Sequence, residues 1–341
     1  MKAILKTQPA HGITVADIPE PERGDDPVIR IDAASICGSD VHAYEWSGGY
    51  DGFLTMPRVI GHEGCGRVVH CGASSLREGQ RVLIDPGIAC GRCVYCRTGR
   101  DNICPGREII GWRRDGVFAE YVAVPEKNCI PLPDAIPADV ASCLESLGVA
   151  VRAMEIAAPV VGDSAAIVGP GPLGLMSLLL CKMAGLAPVV VFGTRQDEGL
   201  RMQLAGELGA DAIFYSEDSG FMEDFHNRAG GLGVDHVFEW SGAGAGLATA
   251  CSLVKPGGKV TVGAIYGKNP TLDMTGLVRR EVSLLTVRSR PRGTWLRMLD
   301  MVANGTIDIT PIITRTFSLD QAEEAFSLAA EKKVLKAVFQ L

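Results

Sequence analysis

At 341 residues the chain is long for one domain and fits two. Its 47% hydrophobic and 21% charged residues are an ordinary globular mixture, which excludes a disordered or fibrous polymer. The formal net charge is −7 and the cations are scattered, so the basic stripe of a nucleic-acid binder is missing.

The opening residues Met1-Lys2-Ala3-Ile4-Leu5-Lys6 lack the apolar core of a secretory signal. The longest apolar stretch, 173–192, is broken by Lys182 and Pro188 and reads as a buried helix followed by a buried strand. The expectation is a cytoplasmic protein with no membrane partner. Its eleven cysteines then need a use other than structural disulfides.

Up to about Pro133 the chain is rich in Val, Ile, Gly and Pro. Short runs such as Val28–Ile31, Gly66–Val69 and Arg81–Ile84 read as strands separated by turns, which predicts a compact, mostly β domain. Within it, Cys37-Gly38-Ser39-Asp40-Val41-His42 is followed by Gly61-His62-Glu63 and, further on, by Glu145. Cys, His and carboxylate are all zinc ligands, and a site short of four fixed protein ligands admits water or an alcohol. Spacing alone is a weak signal, since a single His62 or Cys37 is more often a packed core residue. The glycine before His62, the adjacent carboxylate and the surrounding loops raise a metal to an equal alternative.

Cys90, Cys93, Cys96 and Cys104 form the pattern C-x2-C-x2-C-x7-C, with Gly91, Arg92, Thr98 and Gly99 supplying turns. Four thiolates this close can complete a tetrahedral zinc site. An iron–sulfur cluster is the main alternative, since Pro105 follows the last cysteine, although the ferredoxin pattern has a shorter final gap. We read a structural zinc, because four cysteine ligands leave no position for substrate.

From about Leu147 the texture changes to helical stretches alternating with apolar strands at Ala165–Val168, Val189–Phe192, His236–Phe238 and Lys259–Val262. This predicts βαβ units and a parallel sheet. The first of these strands runs into Gly169-Pro170-Gly171-Pro172-Leu173-Gly174 and then into an apolar helix to about Ala184. Between a strand and a helix, G-x-G-x-x-G lets the backbone reach a pyrophosphate at the helix N-terminus, and Pro172 suits the first helical turn. A tight turn without a ligand is the alternative. The second strand ends in Gly193-Thr194-Arg195 rather than in an acid. A hydroxyl and a guanidinium suit a 2′-phosphate, so NADP(H) is expected, with NAD(H) as the alternative and Arg195 then a plain surface cation. Asp197 and Glu198 are expected on the solvated first turn of the next helix. The last fifty or so residues mix strand-like Phe317 and Ala337–Phe339 with an amphipathic helix near Leu319–Ala330.

In this order the motifs resemble the zinc-containing branch of the medium-chain dehydrogenase/reductase superfamily. The resemblance is carried by Cys37–His42, Gly61–Glu63, the four-cysteine lobe, Asp115–Tyr121, Glu145–Ala153, Gly169–Gly174 and Lys255–Gly258, and so spans essentially the whole chain. Cys37–His42 and Glu145–Val151 are similar to the sorbitol and threonine dehydrogenases, and His42–Trp46 to the threonine enzymes. Gly193–Arg195 and Tyr215 are similar to NADP-dependent secondary alcohol dehydrogenases.

The resemblance implies an α/β architecture. A mostly β, GroES-like catalytic domain would span 1–147, with the zinc lobe at about 88–106. A Rossmann doubly wound parallel sheet would span 148–285, and a segment 286–341 would return to the catalytic domain. It further implies two zincs per chain, with Cys37, His62 and either Glu63 or Glu145 as ligands of the catalytic one. Ser39 would hydrogen-bond the substrate oxygen, His42 would relay a proton, and Thr194, Arg195 and Tyr215 would meet the cofactor phosphate.

The activity implied is hydride transfer between a secondary alcohol or polyol, or the matching ketone, and NAD(P), in a homodimer or homotetramer. The alternative is a catalytically silent, zinc-stabilised dinucleotide-binding protein acting as sensor or scaffold. Two residues depart from the pattern: Ser146 stands where the polyol enzymes usually carry proline, and Val117 where a second glycine is common. Tyr44, Trp46, Tyr50, Phe53 and Trp112 are candidates for a substrate pocket or for core packing. Arg288 and Arg290 are candidates for contact with a charged substrate or cofactor, or equally for a solvated loop.

Overall fold

Along Val28–Ser35, Ile29, Ile31 and Ala33 turn inward while Arg30 and Asp32 turn toward solvent, the period-two pattern of a half-buried strand. This strand is the centre of a seven-stranded sheet. One edge pairs antiparallel with Gly64–His70, which leads on to Arg81–Ile84 and Cys129–Pro131. The other edge is shared by Tyr121–Ala123 and Lys336–Gln340, and the latter runs parallel to Ile313–Phe317. A smaller sheet joins Lys2–Lys6 to Thr14–Asp17 and Arg58–Val59.

The computed structural model describes residues 1–47, 53–229 and 231–341, so Tyr50 lies outside the described residues. Met1–Ser146 with Pro291–Leu341 forms one unit, and Leu147–Arg290 forms a second. The core of the first unit includes Phe118, Phe326 and Phe339, whose rings meet edge to face at 5.2 and 6.1 Å. Tyr44 belongs to that core: it is 4% exposed, stacks on Phe326 and donates its hydroxyl to Glu323 at 2.6 Å.

Register places the strand ends that matter. Ala34 lies opposite Gly64, Ser35 N donates to Glu63 O at 2.9 Å, and Val338 lies opposite Ser35. Antiparallel neighbours therefore bring the end of one strand beside the starts of two others, and residues 35–37, 62–63 and 336 converge. Helix α1, Gly38–Glu45, starts at that point, with Cys37 as its N-cap. Gly61 has φ +90°, and a Cβ there would lie 2.5 Å from the Phe118 ring, so glycine alone lets the chain turn into His62. Helix α2 follows at Leu144–Ala157.

The second unit carries six parallel strands: β1 Ala165–Val168, β2 Val189–Gly193, β3 Ala212–Tyr215, β4 Val234–Glu239, β5 Val254–Val262 and β6 Ser283–Thr286. Their order is β3-β2-β1-β4-β5-β6, the doubly wound arrangement in which the chain reverses direction beside β1. Buried on both faces, β1 and β2 are continuously apolar instead of alternating. Phe192, Phe214 and Phe225 pack together on one side, with ring centroids 5.0 to 6.1 Å apart. Helix α3, Pro172–Met183, leaves β1 through the glycine loop with Pro172 in its first turn. Among the described residues no helix is long and apolar enough to cross a membrane.

One expectation fails here. Asp197 is not solvated but only 5% exposed, because it closes a tight turn at the end of β2. Thr194 donates to it through backbone N at 3.0 Å and Oγ1 at 2.7 Å, and Arg201 approaches its other oxygen at 3.4 Å. Its neighbour Glu198 is exposed, and the following helix starts only at Leu200.

Candidate active site and metal centres

Ligand atoms of Cys37, His62 and Glu63 all lie within 4.8 Å of one another. Ser39 Oγ lies 3.3 Å from His62 Nε2, so this edge of the ring faces Cys37 and Ser39. The other ring nitrogen, Nδ1, has Asp40 Oδ1 at 3.2 Å, an ion-pair distance without the alignment of a hydrogen bond. Asp40 also accepts from Cys37 N at 3.0 Å, so one buried carboxylate steadies both residues. Burial by itself would make the imidazole harder to protonate, yet Asp40 and the Cys37 sulfur raise its pKa well above the ordinary value. The surroundings therefore favour a positive charge at this spot. Thiol, imidazole and carboxylate, backed by a second carboxylate on the imidazole, form a donor set that fits zinc.

Glu63 is fully buried, and its charge is met by Lys336, Ser35 and Ser146. Burial would lower the Lys336 pKa, but Glu63 and the nearby Cys37 and Cys143 sulfurs raise it instead. Glu145 is 8% exposed in the first turn of α2 and is not part of the three-residue cluster. His42 lies one turn beyond Ser39 on α1, exposed, with Nδ1 2.9 Å from Ser47 Oγ. Trp112 stands edge-on to His62 at 6.0 Å and flanks the site, Phe53 packs on Trp112 at 6.3 Å, and Tyr44 belongs to the core.

The four cysteines of the lobe meet as the spacing predicts. Their sulfurs lie within 4.8 Å, with separations of 3.5, 3.8 and 3.9 Å between paired atoms. Tetrahedral zinc with bonds of about 2.3 Å needs sulfurs about 3.8 Å apart, so the thiols already stand at ligand spacing. Backbone N–H groups of Arg92 and Cys93 lower the Cys90 thiol pKa, while burial and the neighbouring sulfurs raise that of Cys96.

At the dinucleotide loop, a Cβ on Gly174 would lie 2.0 Å from Gly169 O, so the helix start packs against the loop only without a side chain. Gly171 is the N-cap of α3, followed by Pro172, Leu173 and Gly174 in the first turn. At the end of β2 the Arg195 guanidinium lies 4.1 Å over the Tyr215 ring and pairs with Asp218 at 2.5 Å and Glu198 at 3.2 Å. Arg290 is buried, its Cδ 2.6 Å from where a Cβ on Gly148 would sit, and Arg288 is exposed.

Sequence reasoning missed Asp40, Ser35, Lys336 and Arg201. Asp40 had a signal in its position three residues after the helix N-cap. Lys336 had none, being 273 positions from Glu63.

Residues 23–134 match the family model for the alcohol dehydrogenase GroES-like domain, and residues 172–304 that for zinc-binding dehydrogenases. Over the whole chain and 99% of the relative, the protein is 34% identical to the L-threonine 3-dehydrogenase of Pyrococcus horikoshii. The chain belongs to the zinc-dependent medium-chain dehydrogenase superfamily. Two solved structures are similar over the full chain and 99% of their own length. A zinc-binding dehydrogenase of Sinorhizobium meliloti bound to NADP has a TM-score of 0.87 at 30% identity. An alcohol dehydrogenase of Escherichia coli complexed with NADH has a TM-score of 0.90 at 26% identity. The mostly β GroES-like domain and the Rossmann sheet expected from the motifs are both found. This superfamily member is a zinc-dependent oxidoreductase that works with a nicotinamide dinucleotide. No observation favours the silent scaffold.

Proposed function

We propose that this dehydrogenase holds two zincs per chain, one at Cys37 and His62 and a structural one at Cys90, Cys93, Cys96 and Cys104, and that it prefers NADP(H). The observation that carries the catalytic reading is the meeting of Cys37, His62 and Glu63 within 4.8 Å, with Ser39 Oγ 3.3 Å from His62 Nε2. Glu63 and Glu145 are the two carboxylates available to complete that site. When bound, zinc supplies the Lewis acidity that makes a substrate hydroxyl acidic, and the nicotinamide takes the hydride.

The chain's own residues do the rest. Ser39 Oγ accepts the hydroxyl proton and passes it to His42, three residues on along the same face of α1, where an exposed imidazole can release it to water. Asp40 keeps the His62 ring aligned. Trp112 and Phe53 give the substrate an apolar wall.

Preference for NADP(H) is supported by the fate of the acids after β2. Asp197 is consumed in its turn by Thr194 and Arg201, and no carboxylate directly ends the strand to bind a ribose hydroxyl. Arg195, with its guanidinium 4.1 Å over Tyr215, is the cation a 2′-phosphate would take from Asp218. A homodimer or homotetramer in the cytoplasm remains part of this reading.

The test is turnover with a panel of secondary alcohols, polyols and L-threonine, each with NAD+ and NADP+ and with bound zinc counted. Ser39→Ala should abolish oxidation while zinc stays at two per chain. Full activity in that variant would remove the proton path proposed here.

A further inference from the structure

Glu63 is gripped from two directions. Ser35 Oγ and the Lys336 ammonium both donate to Oε2, and they belong to the sheet. Ser146 Oγ donates to Oε1 at 2.6 Å, and it belongs to the first turn of α2. Ser146 is itself 3% exposed, and it follows Glu145 directly in the chain. A proline at this position would have no donor to offer.

We propose that Ser146 is a positioning residue: by donating to Glu63 Oε1 from α2 it limits how closely this carboxylate, which already lies within 4.8 Å of the Cys37 and His62 ligand atoms, can approach a metal there, leaving room for substrate and for Glu145. The inference rests on the reading that Cys37 and His62 hold a metal. Glu63 is close enough to join them, so its donors decide whether it does. A carboxylate hydrogen-bonded on both oxygens can still ligate through its remaining lone pairs, but each donor draws off charge and fixes its direction, so losing one lets it close on a metal more tightly. Lys336 and Ser35 restrain Oε2 whatever happens at α2, and the Ser146 hydroxyl is the restraint on Oε1. Ser146 and Glu145 share one helical turn, so the restraint on Glu63 and the second candidate carboxylate come from the same short stretch of backbone.

The test uses Ser146→Ala and Ser146→Thr in the full-length, zinc-loaded enzyme. Zinc is counted first, and its release to a chelator is then followed. The open site is also refilled with cobalt(II), whose visible absorption weakens as ligands are added. Ser146→Ala should release the open-site metal about ten-fold more slowly than the unaltered enzyme, the weight of one hydrogen bond to a charged acceptor. Its cobalt bands should weaken and its kcat should fall. Ser146→Thr, which keeps the hydroxyl, should restore release rate, spectrum and kcat.

Equal or faster release in the alanine variant, or a threonine variant that behaves like alanine, would overturn the role. Release from the four-cysteine lobe serves as the internal control and should be the same in all three proteins. If the unaltered enzyme holds only one zinc per chain, it is the reading of Cys37 and His62 that fails, before any variant is compared.

Discussion

Replacing Arg195 with alanine separates the two cofactors. The guanidinium lies 4.1 Å over Tyr215, and its side chain is 49% exposed, so water screens whatever it binds. A charge-assisted contact at the weak end of its range, discounted for that exposure, corresponds to roughly ten-fold in NADP+ affinity. The variant also strips Glu198 and Asp218 of their shared cation, since both carboxylates pair with the Arg195 guanidinium. Their repulsion falls on the 2′-phosphate and spares NAD+, which should change by less than about two-fold.

Asp218→Asn should act in the opposite direction. It frees the guanidinium and removes a negative charge, tightening NADP+ a few-fold and leaving NAD+ alone. Calorimetric titration of both cofactors at low and high salt measures all of this, and the NADP+ advantage should shrink as salt rises. Equal loss of both cofactors would mean that Arg195 only shapes the turn. A native preference for NAD+ would refute the assignment outright.

Gly174→Ala should weaken NAD+ and NADP+ alike, because its Cβ would sit 2.0 Å from Gly169 O and force the loop apart; a dissociation constant within two-fold of the native value would count against that packing. Cys104→Ser should lower the zinc count by one and cut soluble yield and Tm more than the kcat of the surviving fraction. A stable variant that still holds its full zinc would contradict the structural assignment. Acid stability should depend on Asp235. Burial would raise its pKa, but Lys255 and Ser164 bring it down to about 2 from an ordinary 3.8. Its contribution is therefore complete above about pH 4 and lost as the pH falls toward 2, so Asp235→Asn should flatten that limb in urea titrations. Parallel limbs in the two proteins would rule the contribution out.

Local signals were legible where the chain's neighbours in sequence are also its neighbours in space. Ala165–Val168 and Arg81–Ile84 are strands with those bounds, because a short apolar run is stopped at each end by a turn or loop. The glycine loop and the four-cysteine lobe each lie within one short stretch, so ligand type and spacing already carry their geometry. Asp197 was misread because an acid beside exposed Glu198 looks solvated in a linear sequence. Only the turn at the end of β2 shows that Thr194 and Arg201 enclose it. Tyr44 shows the same gap between list and fold: an aromatic near the candidate ligands proves to be a core ring that donates to Glu323, 279 positions away.

By itself the order of residues determined the two-domain α/β class, the candidate metal-ligand types and the glycine loop, because composition, period and short spacing act within one or two turns of chain. The environment of Glu63 was decided only by the tertiary structure. Ser35, Ser146 and Lys336 come from three separate places in the chain, and no spacing rule connects them. Sheet register joins Ser35 and Lys336 to Glu63, because where antiparallel strands lie side by side the end of one meets the beginning of the next, and the first turn of α2 brings Ser146 to it. A one-residue slip would turn those side chains to the opposite face and leave a buried carboxylate without its ammonium.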